Sequence, residues 1–146
     1  MNTDQHRLKH GELTEKIIGI FYDVYNELGY GFLESVYEKA MLKALRSAGL
    51  QVESQVSVSV WFREEQVGDF YADLVVQGTV ILELKAARAI ERAHEAQLLN
   101  YLKATDIEVG LLLNFGERPE FRRLLFDNER KKTRSNPRKS VAKGVS

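Results

Sequence analysis

Two acidic residues and one lysine lie on neighbouring predicted strands, where charged side chains could serve chemistry. Asp73 is followed, after nine intervening residues, by Glu83 and Lys85 in the apolar run Val80-Ile-Leu-Glu-Leu-Lys-Ala86. A charged side chain is expensive to bury unless it is paired, neutralised or bound to a metal. The run therefore predicts either a strand at a wet edge or a strand whose charges serve chemistry.

The register of the hairpin formed by residues 66–76 and 80–86 decides whether these charges meet. Opposed residues of a hairpin share a face, so a correct register should sort apolar from charged side chains. A three-residue loop, Gln77-Gly78-Thr79 with Gly78 left-handed, does this. The predicted opposed pairs are Val76–Val80, Leu74–Leu82, Ala72–Leu84 and Phe70–Ala86 on an apolar face, and Val75–Ile81, Asp73–Glu83 and Tyr71–Lys85 on the other. A two-residue loop mixes charge into both faces, so we prefer the first register.

Asp73 directly opposite Glu83 requires a counter-charge, because like charges facing each other across strands are destabilising. Lys85 could neutralise both carboxylates in a partly solvated ion cluster. The alternative that we prefer is a divalent cation, since hard oxygen ligands suit Mg²⁺ or Mn²⁺.

The elements that would carry these residues follow from periodicity. Residues 12–28 have apolar side chains at helical spacing, Gly29-Tyr30-Gly31 ends this helix, and a second helix runs from about Leu33 to Ala48. Residues 52–62 alternate as a half-buried strand, with Val52, Val56, Val58, Val60 and Phe62 on one side. Beyond the hairpin we predict a helix at 91–104, a strand at 109–114, and an edge strand or final helix at 121–126. The order ααβββαβ predicts one α/β domain on a mixed sheet flanked by helices.

Two further motifs lie on the predicted helices. Gly31-Phe-Leu-Glu34-Ser-Val-Tyr37 opens the second helix, where Glu34 and Tyr37 are three residues apart and share a face. Gln97-Leu-Leu-Asn-Tyr101 lies on the later helix, and its end residues also share a face. With Asp73, Glu83 and Lys85, these motifs resemble the PD-(D/E)xK nuclease superfamily, its GxxExxY family and the QxxxY motif of RecB-like nucleases. Ala72 stands where the superfamily name has a proline.

The resemblance implies a restriction-endonuclease-like fold and Mg²⁺- or Mn²⁺-dependent hydrolysis of nucleic-acid phosphodiester bonds. The implied metal ligands are Asp73, Glu83, Glu34 and the backbone carbonyl of Leu84. Lys85 would complete the catalytic group by orienting or deprotonating the attacking water. Gln97, Tyr101 and Tyr37 would position the substrate strand, Tyr37 by packing or orienting rather than reacting.

Other interpretations of these residues stay open. Glu34 could simply be a first-turn glutamate stabilised by the helix dipole, and Gln97 and Tyr101 could be an ordinary pair on a helix surface. His94 is interpreted as a surface histidine, and the sequence assigns no role to His6 or His10. At the level of function, a catalytically silent fold that binds nucleic acid or protein, or a hydrolase of small molecules, remains an alternative.

The composition of the chain predicts its cellular location and its partners. The 146 residues contain no cysteine, which excludes disulfides and thiolate sites, and no apolar run approaches the roughly 20 residues of a membrane span. We expect a cytoplasmic protein acting on nucleic acid, DNA ahead of RNA. The net charge of zero conceals a domain at 1–128 with charge −6 and a basic, disordered tail at 129–146 with seven Lys or Arg and one Glu. Such a tail can add sequence-independent affinity for nucleic acid, or it can be simply a solubilising or vector-derived end.

Overall fold

The computed structural model describes residues 9–131, which form a five-stranded sheet with helices on both faces. In chain order the elements are α1 (Gly11–Leu28), α2 (Glu34–Ser47), β1 (Val52–Phe62), β2 (Glu65–Val76), β3 (Val80–Lys85), α3 (Arg92–Lys103), β4 (Val109–Phe115), β5 (Pro119–Leu125) and α4 (Asn128–Lys131). The predicted α/β class is confirmed. The segment predicted at 121–126 is an edge strand rather than a helix.

The sheet is mixed because of one crossover. Its strands lie in the order β1-β2-β3-β4-β5. All neighbours are antiparallel except β3 and β4, which are parallel and are joined through α3. Parallel neighbours need such a crossover, and strands covered on both faces become nearly continuous apolar runs. Accordingly every residue of β4 and all of β3 except Lys85 are buried.

Two hydrophobic clusters hold the helices against the two faces of the sheet. The first packs α1 and α2, through residues such as Phe21, Tyr37 and Met41, on side chains of β2, β3 and β4. The second packs Leu98, Tyr101 and Leu102 of α3 on the opposite face. Side chains alternate along β3, so Glu83 points to the same face as Ile81 of the second cluster, and Leu82 and Leu84 of the first cluster point to the other face. Helix α3, which connects the parallel strands, therefore covers the face toward which Glu83 points.

The predicted hairpin register is confirmed at the loop and is wrong further along the strands. The pairs Val76–Val80, Val75–Ile81 and Leu74–Leu82 form, and Gly78 is left-handed with φ 66°. Ladder pairing between β2 and β3 ends there, so Ala72–Leu84, Phe70–Ala86 and Tyr71–Lys85 are not paired. Side-chain hydrogen bonds of Asp73 and Glu83 take over at this point, and β2 turns away from β3.

Beyond this point, the inward side chains of β1 and β2 pack on the opposite face of the sheet. Leu74 packs in the first cluster, whereas Ala72 packs with Val75 in the second. The same change occurs on β1, where Val52 belongs to the first cluster and Val56 to the second. The predicted single apolar side of β1 is therefore wrong, because the chain changes face between those two valines, near Gln55 with its positive φ of 50°.

The chain beyond residue 128 is packed for one further turn. Lys131 is buried, and its Nζ donates to the carbonyls of Thr105 (2.9 Å) and Ile107 (2.8 Å). Residues 129–131 of α4 belong to the segment predicted as a disordered tail, and for them that prediction is wrong. The remainder of the tail at 132–146 is outside the described residues, as is His6. Among residues 9–131 no helix has the length and apolarity needed to cross a membrane.

Candidate metal centre

Asp73 and Glu83 meet at the point where β2 leaves β3. The Asp73 amide donates to Glu83 Oε2 at 3.0 Å, and the Leu84 amide donates to Asp73 Oδ2 at 2.8 Å. Each carboxylate therefore accepts a backbone hydrogen bond from the other strand in place of a ladder bond. The two acidic side chains are held together in a fixed arrangement, although their backbones are no longer paired.

The two carboxylates repel each other in a poorly solvated environment. Glu83 is 3% exposed. Burial, followed by the charge of Asp73, raises the pKa of Glu83 from 4.5 to about 8. Burial also raises the pKa of Asp73, to which the charges of Glu38 and Glu34 add. At neutral pH without a cation, the pair therefore retains a proton that it can exchange for a positively charged ligand.

Two more oxygen donors surround this pair. Glu34, the exposed first residue of α2, accepts a hydrogen bond at Oε2 from the amide of Ala86 at 3.3 Å. The carbonyl of Leu84 faces Asp73, because the N–H and C=O of one strand residue point to the same side and the N–H binds Asp73. The four groups that the resemblance implies as metal ligands thus lie at the same end of β3, with Glu34 bonded to the Ala86 amide rather than converging on the acidic pair.

Lys85 is linked to α3 rather than paired with the carboxylates. Its Nζ donates to Gln97 Oε1 at 3.1 Å, and Gln97 Nε2 donates to the Tyr101 hydroxyl at 3.3 Å. In the part of the chain that the structure describes, no ion pair joins Lys85 to Asp73 or Glu83. The alternative of an ion cluster centred on this lysine is therefore not what the described residues form.

Tyr101 belongs both to this chain of hydrogen bonds, through its hydroxyl, and to the second hydrophobic cluster, through its ring. Its ring stacks on Phe70 with centroids 4.5 Å apart, and it is 5% exposed. Burial and the charges of Glu83 and Asp73 raise the pKa of Tyr101 to about 12, so its hydroxyl stays neutral. An open groove runs past it along α3. The groove is lined by Phe70, Ala93, His94, Ala96, Gln97, Asn100 and Tyr101.

Tyr37 lies in the core rather than at this groove. It is fully buried, stacks on Phe115 at 4.2 Å, and donates its hydroxyl to the carbonyl of Gly29 at 2.6 Å. The hydroxyl also accepts from the amide of Phe32 at 3.2 Å. Direct contact between Tyr37 and a substrate is therefore excluded by burial, and its role is to anchor the Gly29–Phe32 turn in front of Glu34.

Sequence reasoning missed Asn114, which fixes the chain just after Lys85. Asn114 is fully buried on β4; its Oδ1 accepts from the amide of Ala87 at 2.9 Å, and its Nδ2 donates to the carbonyl of Ala87 at 3.0 Å. A Cβ at Gly116 would overlap that same carbonyl oxygen, so this position requires glycine. A polar residue at the end of the apolar run of β4 was the available signal.

Glu38 and His94 make further contacts near the site. Glu38, one helical turn after Glu34, accepts from Gln55 Nε2 at 2.9 Å and adds to the negative potential at Asp73. His94, interpreted as a surface residue, is half-buried and accepts the Glu91 amide at Nδ1 (3.0 Å), which places it at the start of α3. Glu38 could have been found from its i, i+4 spacing to Glu34.

The donor chemistry of the site fits a divalent cation. Within residues 9–131, no three carboxylate or imidazole groups converge tightly enough to hold an ion as the side chains stand. The buried pair nevertheless carries raised pKa values, with hard oxygen donors from Glu34 and Leu84 beside it. Two carboxylates supplemented by a carbonyl and water suit Mg²⁺ or Mn²⁺.

A mixed sheet between helices, with an acidic pair and a lysine at the divergence of its central hairpin, defines a restriction-endonuclease-like domain. The family model described as PD-(D/E)XK nuclease superfamily matches residues 11–124, and the chain belongs to that superfamily. No curated protein matches it. Among solved structures, the crystal structure of SSO0001 is similar, with TM-score 0.50 and 16% identity over 76% of this chain, which shows the fold alone. This chain spans 56% of the length of that protein.

Proposed function

We propose that this protein is a metal-dependent nuclease that hydrolyses phosphodiester bonds in nucleic acid. Asp73, Glu83, Glu34 and the carbonyl of Leu84 would hold one Mg²⁺ or Mn²⁺ ion. Lys85 would act on the attacking water, and Gln97 and Tyr101 would position the strand. The motif around Glu34 and Tyr37 supports placing this protein in the GxxExxY group of the superfamily. The QxxxY motif at Gln97 and Tyr101 is the second motif that supports it.

The position of Lys85 carries this proposal. A lysine whose purpose was to neutralise Asp73 and Glu83 would bind them directly, whereas this ammonium group is held 3.1 Å from Gln97 Oε1. It remains close enough for its charge to lower the pKa of both carboxylates. A purely binding module has no need of a lysine positioned in this way beside a buried acidic pair.

Each side chain has a distinct task in hydrolysis. The bound ion would supply Lewis-acid polarisation of the scissile phosphate and a lowered pKa for a coordinated water. Lys85 Nζ would orient that water or accept its proton, and its charge would offset negative charge developing on the phosphate. Gln97 keeps Nζ in place, and Tyr101 keeps Gln97 in place.

The groove along α3 supports nucleic acid as the substrate. None of its seven lining residues is acidic, in a domain whose residues 1–128 carry a charge of −6. A phosphodiester strand would therefore avoid like charge there, while Phe70 offers an aromatic ring and Asn100 and Gln97 offer amides. DNA is the substrate that we expect, and RNA is tested beside it.

Calorimetric titration of Mn²⁺ combined with cleavage assays tests the proposal. The wild type should bind Mn²⁺ and cleave, whereas Asp73→Asn should do neither. Asp69→Asn is the matched control, because it makes the same change at an exposed position of the same strand. Lys85→Ala should bind Mn²⁺ and lose cleavage. Absence of both binding and cleavage in the wild type would instead identify a catalytically silent fold used for recognition.

A further inference from the structure

Strand β1 is the outermost strand of the sheet, and its outer edge is open. It is 11 residues long and pairs with β2 alone. Among residues 9–131 it has no second strand neighbour, and the contact that α2 makes to its backbone, from Arg46 Nη2 to the Val52 carbonyl at 2.7 Å, is at its first residue. A row of unpaired N–H and C=O groups on a long edge strand is a template for pairing with another chain.

The opposite edge of the same sheet is protected, which makes the contrast informative. Strand β5 has seven residues, begins with Pro119, and carries Glu120, Arg122 and Arg123. Proline, charge and short length are the features by which proteins prevent edge-to-edge association. Strand β1 is longer, at 11 residues, and its nine consecutive residues from Ser54 to Phe62 include neither a charge nor a proline.

The composition of this segment suits pairing with a copy of itself. Valine and serine alternate from Val56 to Val60, and such a strand meets its own copy without like charges in opposition. In an antiparallel pair of copies, the start of one β1 lies beside the end of the other, so Glu53 of each copy is near Arg63 of its neighbour. The ends are thus complementary in charge, as a two-fold interface requires of a self-complementary surface.

Exposed apolar side chains at the end of β1 provide further area to bury. Trp61 is 37% exposed and Phe62 57% exposed; on β2, Val67 and Tyr71 are 59% and 54% exposed. Aromatic side chains bury about 150–250 Å² each when fully covered, so two copies of this patch contribute area well beyond the backbone pairing. These residues and the open edge lie on the same hairpin.

We propose that β1 pairs antiparallel with β1 of a second copy of this chain, forming a two-fold dimer with one continuous sheet. The other occupant to consider is nucleic acid, because exposed aromatic rings can stack on bases. The charge of the hairpin opposes it: residues 63–69 contain Glu64, Glu65 and Asp69 against the single Arg63. The surface therefore favours a copy of itself over a polyanion.

Sedimentation equilibrium of the full chain across the micromolar range tests this inference. The wild type should sediment at twice the 16.7 kDa of the monomer. The variant Ser57→Lys/Ser59→Lys places four lysines at the interface and should weaken dimerisation at least about tenfold, by like-charge repulsion. Ser57→Thr/Ser59→Thr preserves neutrality and raises strand propensity, so it should remain dimeric.

The control is Ser47→Lys, the same change on the exposed end of α2 away from the edge, which should leave the dimer intact. Circular dichroism should show an unchanged fold in all variants. A wild type that is monomeric throughout this range would overturn the inference. So would a dimer that Ser57→Lys/Ser59→Lys leaves unchanged. A monomer whose oligonucleotide affinity responds to these lysines would assign the edge to nucleic acid instead.

Discussion

Replacing Glu83 by glutamine should stabilise the metal-free protein while abolishing its affinity for a divalent cation. Glutamine has nearly the same shape, can accept the Asp73 amide at its oxygen, and can donate its NH₂ group to the Asp73 carboxylate. It removes the ionisation that burial and Asp73 oppose. The same substitution removes a carboxylate that we propose as a metal ligand.

The size and sign of the effect follow from the pKa of Glu83. Its rise from 4.5 to about 8 means that the folded state binds more protons than the unfolded state between these values. The free energy of unfolding of the wild type therefore falls as pH rises through this window, by a ceiling of about 5 kcal/mol at 1.36 kcal/mol per pKa unit. Glu83→Gln escapes this loss, and we expect a gain of about 2–5 kcal/mol above pH 8. Near pH 4.5 the two proteins should be equally stable.

Thermal unfolding in chelator between pH 4.5 and 9 measures this difference. At pH 9 the variant should melt about 5–15 °C above the wild type. Adding Mn²⁺ at about 100 times its Kd should stabilise the wild type by about 2.7 kcal/mol and leave the variant unchanged. Glu65→Gln, an exposed glutamate on β2, is the control and should show neither effect. A Glu83→Gln protein less stable than the wild type at pH 9 would refute the argument that the buried pair repels.

Three further outcomes are expected. The affinity for Mn²⁺ should rise with pH up to about pH 8, by about tenfold per unit for each proton displaced from the Asp73–Glu83 pair, and a flat titration profile would contradict this. Gln97→Ala should lower turnover while leaving Mn²⁺ affinity within about twofold, because it releases Lys85 Nζ but removes no metal ligand. Glu95→Ala, on the same helix but outside the groove lining, is its control, and unchanged turnover in Gln97→Ala would disconnect Lys85 from the reaction. Asn114→Ala should lower the free energy of unfolding by about 2–4 kcal/mol, because it removes both hydrogen bonds to Ala87. Urea unfolding measures this loss, and a loss below about 1 kcal/mol would show that these two hydrogen bonds are dispensable.

The sequence predicts the parts of the fold and site that depend on local pattern. The three-residue loop of the β2–β3 hairpin follows from turn chemistry and alternation, and it brings Asp73 to Glu83. The order of elements follows from the change between helical and strand periodicity. The lysine, the glutamine and the tyrosine of the site lie on the elements that periodicity assigns to them.

What the sequence could not predict depends on contacts between distant residues or on depth. The ladder between β2 and β3 ends because side chains of Asp73 and Glu83 capture backbone amides, which no alternation pattern records. Helical spacing places Tyr37 near Glu34 but cannot say that one is buried and the other exposed. Asn114 binds Ala87 across 27 positions of the chain, so its role emerges only when β3 and β4 are adjacent.

The hydrogen bonds of the site close chain segments of very different length, and this orders its assembly during folding. Asp73 and Glu83 are joined by a bond spanning 10 positions, whereas the bond from Ala86 to Glu34 spans 52. Short loops close at lower entropic cost and sooner than long ones. The hairpin can therefore bring its two repelling carboxylates together before α2 delivers Glu34 or β4 delivers Asn114. A proton or a cation available at that early stage would relieve the repulsion while the rest of the domain is still forming.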